Sequence, residues 1–262
     1  TLAQALLKTA YCLKSLRNSL ATGGSTTTLI DTNLVEPNDF FNGGTLFFLS
    51  GTLSGKTAII TDWNATAFTF TIPTQTAAVA AGIRYAVAES RYPREAMVQA
   101  INMALSDLGP ILQRDESLVT EIDVAEYQLP VGVSNIKRVE IAQSDTEPFL
   151  WDSPHHHWIE WNGLLVLNEN HLPELDGMPM RLWYEEPHEE VYLDSDTITD
   201  AIHIDRLAWS AAWFAALNRT GLPENSEPHS AYVAQIANQM KQMQTRHPID
   251  TIRRDIRWAD WG

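Results

Sequence analysis

"GGTLFFLSGTLSGKTAIITDWNATAFTFTI", Gly43 to Ile72, admits two readings, and the choice between them decides the fold. The triplet Gly55-Lys56-Thr57 matches the second half of a phosphate-binding loop. Such a loop needs a Gly, four residues, then Gly-Lys-Ser/Thr between a strand and a helix, so that backbone N–H groups converge on phosphate. The first Gly belongs at position 50, where Ser50 stands, and Gly51 is one place late. The residues after Lys56 have strand chemistry: Thr and Ile are abundant, and Phe68 and Phe70 alternate with Thr69 and Thr71. "GGTLFFLSG" before it reads as strand as well. The stretch is therefore a tight connection between two antiparallel strands, with glycines supplying the positive φ of the turn. ATPase chemistry fails on context.

Working outward, turn signals recur at Pro37-Asn38-Asp39, Asn42-Gly43-Gly44, Ser54-Gly55 and Trp63-Asn64. That spacing predicts a small barrel or curled sheet of about five strands over 25–91, closed by "IRYAVAES" at 83–90. Upstream, Leu2, Leu6, Leu13, Leu16 and Leu20 fall on one helical face, so a helix is expected over 2–21, stopped by Gly23-Gly24. Downstream, Tyr92-Pro93 opens a helix with Met97, Ile101, Ala104, Leu105 and Leu108 as its apolar stripe, and Gly109-Pro110 ends it. From 116 to about 192, seven short strand-like runs separated by Pro, Gly, Asn and Asp predict a second β domain, sandwich-like. Two more helices are expected, over 199–220 and 227–246. The fold class is thus α+β. A helical bundle is assembled from 1–24, 92–115 and 197–247, with the β-barrel-like insertion at 25–91 and the β domain at 116–196. The tail 248–262 is too short for a core of its own and is expected to dock elsewhere.

The composition is globular, with 44% hydrophobic residues and nine Trp in 262 residues. The single Cys, Cys12, cannot form an internal disulfide and reads as a small core side chain. The first twenty residues, carrying Lys8, Lys14 and Arg17, do not read as a secretory leader, and no apolar run approaches the roughly 18 residues a membrane span needs. The expectation is a soluble protein folded in a reducing cytoplasm. A net charge of −15 argues against a generic nucleic-acid binder. The charge is uneven: Asp115 to Asp200 holds 20 Asp/Glu against Lys137, Arg138 and Arg181. Such a segment is either a solvated face or a wall that repels a passing polyanion.

Candidate chemistry is sparse. His155-His156-His157, with His171 and His188 nearby, invites a metal, but adjacent residues on a strand point to opposite faces and no Cys pair or HExxH supports one. Trp151, Trp158 and Trp161 fit a carbohydrate platform or, more simply, core or interface. Glu185-Glu186 and Glu189-Glu190 sit among polar residues, without the dry pocket that a catalytic acid pair needs, and read as solvated loop. Gly-x-Ser-x-Gly and the dinucleotide fingerprint are both missing from the sequence. The chain reads as a binding or structural protein, not an enzyme, with no cofactor or metal.

The order of segments resembles a known family. "GGSTTTLIDT…NDFFNGGTLFFLSGTLSGKTAIITDW…FTFTIP…AAGIRYAV", "AINMALSDLGPI", "MRLWYEEPHEE…DSDTIT…IHIDRLAWSAAWFAAL" and "AYVAQIANQMKQM" are together similar to tailed-bacteriophage head-to-tail adaptor (connector, or neck) proteins. The resemblance implies a ring subunit, usually twelve-fold, in the virion neck beneath the portal. Its partners would be the portal protein, a tail or second neck protein and further copies of itself, with DNA passing through the channel unbound and no membrane involved. The tail would dock into portal or neighbour through Arg253, Arg254, Arg257, Trp258 and Trp261, since Arg and Trp are favoured interface anchors. Two other classes remain open: a tail-associated module binding host glycan through the Trp-rich region, and a cell-wall hydrolase using carboxylates.

Overall fold

The computed structural model describes residues 1–143, 155, 157–168, 172–218 and 227–249. Two compact units divide them: Thr1–Leu108 with Glu189–Pro248, and Gly109–His188.

The first unit opens with helix α1 (Leu2–Cys12), half the length expected from the leucine spacing. The helix stops in a Schellman arrangement: the Lys14 N–H donates to the Tyr11 carbonyl (3.0 Å) and the Ser15 N–H to that of Ala10 (3.1 Å). Lys14 holds φ 52° there, a position usually given to Gly. The next residues form strand β1 (Leu16–Leu20), which runs antiparallel to β8 (Arg84–Ala88), Leu16 opposite Ala88 and Leu20 opposite Arg84. Leu13, Leu16 and Leu20 therefore never share a helical face.

Around β1 are built two four-stranded antiparallel sheets. One has the order β1-β8-β4-β5, with β4 (Thr45–Phe48) and β5 (Thr57–Ile59). The other has the order β2-β3-β7-β6, with β2 (Gly23–Gly24), β3 (Thr28–Ile30), β6 (Asp62–Asn64) and β7 (Thr69–Thr71). They share one core, in which Leu46, Phe48, Tyr85 and Val87 meet Leu29, Trp63 and Phe70. The Trp63 and Phe70 ring centroids lie 4.4 Å apart, and Phe41 packs on both, edge-on to Trp63 at 5.5 Å. Where a small barrel or curled sheet of about five strands is expected over 25–91, the structure has two four-stranded sheets that also take in β1 (16–20) and β2 (23–24).

Helices α2 (Arg94–Leu108), α3 (Ile204–Leu217) and α4 (Glu227–Arg246) complete the unit. The expected stripe of α2 is buried at Met97, Ile101, Ala104 and Leu105. Helices α1, α2 and α4 all pack on α3, whose buried residues are mostly Ala. Small side chains are what allow helix axes to approach from several sides. A helical bundle is nevertheless the wrong description. Among the described residues fourteen strands in four small antiparallel sheets stand against four helices. The reason is physical: α1 has only 11 residues, and along the described part of α4 only Ile236 is fully buried. These helices cannot enclose a core alone. The α+β class itself is compatible with this architecture.

The second unit holds two three-stranded sheets. One is β11-β14-β9, with β9 (Ile111–Val119), β11 (Ile136–Ile141) and β14 (Pro179–Glu186); the other is β10-β13-β12, with β10 (Glu126–Gln128), β12 (Trp158–Trp161) and β13 (Leu164–Leu167). Ile136, Val139, Met180 and Leu182 of the first meet Tyr127, Trp158, Leu165 and Leu167 of the second in one core. Among the described residues six strands stand where seven were expected. The run "PFLWD" at 148–152 lies outside the described residues.

Candidate functional site

The loop that mimics a phosphate site does bind an anion, but the anion belongs to the chain. The Thr57 N–H donates to Asp194 Oδ2 (2.6 Å), and the Thr57 hydroxyl donates to the same carboxylate (2.8 Å to Oδ1). Arg94, at the start of α2, completes the group: its Nε donates to Thr57 Oγ1 (3.0 Å), and Nη2 donates to Asp194 Oδ1 (2.9 Å) and to the Tyr192 carbonyl (2.9 Å). Lys56, which would neutralise phosphate in a true loop, instead donates to Thr76 Oγ1 at 3.0 Å. Thr57 comes after a turn whose Gly51 and Gly55 have φ 78° and 80°, as a hairpin connection demands.

The segment around Asp194 is itself tied down. Asn102 of α2 donates to the Val191 carbonyl (3.0 Å) and accepts from the Val191 N–H (2.9 Å). Asp196 accepts the Tyr192 and Leu193 N–H groups at 2.7 and 2.8 Å, and these two bonds hold its carboxyl below the usual carboxylate range. Carbonyls of 194 and 196 accept the first N–H groups of α1, from Ala3 (3.3 Å) and Leu2 (2.9 Å). One short segment therefore joins the 57 hairpin, α1 and α2.

A second polar group lies at the edge of the β core. Asp31 is fully buried and accepts four hydrogen bonds, from the Tyr85 hydroxyl (2.6 Å), the Asn33 N–H (2.9 Å), the Asn33 side chain (3.0 Å) and Ser19 Oγ. Burial pushes its carboxyl up, and the donated bonds from Ser19, Tyr85 and Asn33 outweigh that and hold it below the usual range. Burial, then the hydrogen bond to Asp31 and after it the Asp31 charge, push the Tyr85 hydroxyl far above its ordinary value. Cys12 behaves as expected of a core thiol: burial first, then the Asp205 charge, raise it to about 12.

In the second unit, Glu140 of β11 is buried, forms ion pairs with Arg138 (2.5 Å) and Arg181 (3.5 Å) and accepts from the Trp183 indole (3.0 Å), while Arg181 also reaches Glu116 of β9 at 2.7 Å. These bonds lace the three strands across one face. Glu185 and Glu186, expected in a loop, belong to β14, and Glu185 pairs with Lys137 at 3.0 Å. None of these groups has the opposed, separately tuned acid and base of a catalytic pair. Each is a link between elements.

Of the sequence candidates, His155 and His157 lie with ring centroids 6.0 Å apart, and His156 and His171 lie outside the described residues. Among the described residues no group of three or more His, Cys, Asp or Glu is placed to hold a metal ion. Trp158 is 0% exposed in the second unit's core, whereas Trp161 is 64% exposed, so the two do not form one platform; Trp151 lies outside the described residues. Arg253, Arg254, Arg257, Trp258 and Trp261 lie outside them too. No described helix is long and apolar enough to cross a membrane.

Sequence reasoning missed Arg94, Asp194, Asp31 and Glu140. Only Asp31 carries a local signal, since Asp-Thr-Asn is the pattern of an Asx turn. Arg94 and Asp194 stand 100 residues apart, beyond any spacing rule. No protein-family model matches the chain, and no curated protein matches it at a significant level.

Proposed function

We propose that this chain is a structural subunit of the neck of a tailed-phage virion, forming a ring that joins the portal to the tail and continues the DNA channel. The observation that carries the reading is the Arg94–Thr57–Asp194 group, with Asn102 and Asp196 beside it. Among the described residues this polar group, through the segment 191–196, holds the 57 hairpin of the inserted β module against α1 and α2. The order of segments, which resembles that of head-to-tail adaptors, supports the same reading. So does the acidic segment from Asp115 to Asp200, because a wall of like charge lets DNA slide without sticking. The partners are the portal, a tail or second neck protein, and further copies in a ring of about twelve, with Arg253, Arg254, Arg257, Trp258 and Trp261 docking in portal or neighbour. No turnover of a substrate belongs to the proposal.

Negative-stain imaging of the purified protein, alone and mixed with the portal of its phage, tests this. A ring stacked under the portal is the expected image and reports the symmetry directly. A bare portal with the chain left free in solution would overturn the reading.

A further inference from the structure

The second unit presents an apolar tip that its own core does not use. Val119, Ile122 and Leu175 are 48%, 49% and 57% exposed. Val119 ends β9, and Ile122 and Leu175 sit on two loops pinned together at Thr120, which is itself buried. The Thr120 hydroxyl donates to the Leu175 carbonyl (2.6 Å), its carbonyl accepts from the Gly177 N–H (2.8 Å), and the Ile122 N–H donates to Asp176 Oδ1 (2.6 Å). Rigid loops with solvent-facing apolar side chains are preorganised for a partner, because little ordering entropy remains to be lost. Around these side chains Glu121, Asp123, Glu174 and Asp176 are exposed, and none is in an ion pair with a described cation. The tip therefore calls for an apolar surface edged by positive charge.

The first unit carries such a surface. A groove of about 370 Å³ runs between α1, β1 and α3, lined by Leu7, Tyr11, Leu16, Leu49 and Trp209. Tyr11 is 72% exposed, and Leu20 at the end of β1 is 50% exposed. Strand β1 is an edge of its sheet. Arg84, opposite Leu20, and Lys14, just before β1, are exposed cations without an ion pair to a described carboxylate, and Lys8 on the groove wall is already neutralised by Asp205. The second unit is the more acidic of the two: residues 109–188 hold 15 Asp/Glu against four Lys/Arg, whereas residues 1–108 with 189–248 hold 15 against 11.

We infer that the acidic, apolar 119–122/174–176 tip of one copy seats in the β1 groove of a second copy, between Arg84 and Lys14. The contact is heterologous, the kind that closes a ring when its repeated rotation returns to the first copy. The inference rests on the ring reading of the proposed function and supplies the two surfaces that would build it.

The test uses the full chain and mass photometry with sedimentation velocity over a range of concentrations. Self-association is expected for the wild type, weakened about tenfold or more both by E121K/E174K and by K14E/R84E. Mixing the two variants in equal amounts restores association, because each then offers the other opposite charges, and the fourfold variant on one chain associates alone. Ile122→Ser, uncharged and exposed, gives a loss of similar size without altering the circular dichroism spectrum. A wild type that stays monomeric overturns the inference; so do variants that associate like wild type, or a mixture that fails to recover. None of these measurements involves the portal, so a failure here is separate from a failure of portal stacking.

Discussion

Replacing Asp31 by Ala removes one carboxylate and strands several donors in the β core of the first unit. The Tyr85 hydroxyl, on a side chain that is 0% exposed, loses its acceptor, and Ser19 and the Asn33 amide lose theirs. A hydrogen bond to a charged group contributes about 1.5–3 kcal/mol, and a buried donor left without a partner costs about 1–3 kcal/mol. Ser19 and Asn33 are near enough to the surface for water to compensate them in part. Tyr85 is not, so D31A is expected to destabilise the unit by about 3–5 kcal/mol. The cycle D31A, Y85F and D31A/Y85F, measured by urea unfolding, isolates the bond, with an expected coupling of about 1.5–3 kcal/mol. The sign of the pH dependence comes from a carboxyl depressed in the folded state. Its stabilisation is fully present above the unfolded value of 3.8 and is lost as pH falls below it through the lower folded value. The wild-type advantage over D31A should therefore be flat from about pH 5 to 7, a window set well above that value, and shrink on acidification below it. A coupling under about 0.5 kcal/mol, or an advantage that grows on acidification, would refute the reasoning.

Four further outcomes are expected. Arg94→Ala frees Asp194 and the Tyr192 carbonyl and should cost about 2–3 kcal/mol, discounted for partial exposure, with faster hydrogen exchange at the Thr57 amide. Lys14→Gly relieves a positive φ and should raise stability by about 0.5–1 kcal/mol in the same urea assay; a loss would show that Lys14 is not strained there. Trp158→Ala should cost about 3–5 kcal/mol and Trp161→Ala under about 1 kcal/mol, a contrast read from denaturation curves, since only Trp158 is in the core. Deleting residues 248–262 should leave the circular dichroism spectrum and unfolding midpoint unchanged while abolishing assembly with the portal; normal assembly would remove the docking role of the tail.

The sequence by itself determined the elements that carry their own punctuation. The Gly55 hairpin, α2 between Pro93 and Gly109, and the two C-terminal helices needed only period, caps and breakers, which act within a few residues. Tertiary structure decided the rest. The break at Lys14 was illegible because a Lys occupies the left-handed position that Gly usually marks, and because leucines at 13, 16 and 20 suit a helix as well as they suit a strand. Pairing with β8 settles that choice, through hydrogen bonds to residues some 70 positions away in sequence. Trp158 and Trp161 are indistinguishable as letters, yet one is core and the other faces solvent. The polar links are less legible still, since Arg94, Thr57 and Asp194 become one group only when three distant segments are brought together. Local propensity acts over a turn or two of chain, whereas burial and charge pairing act through space.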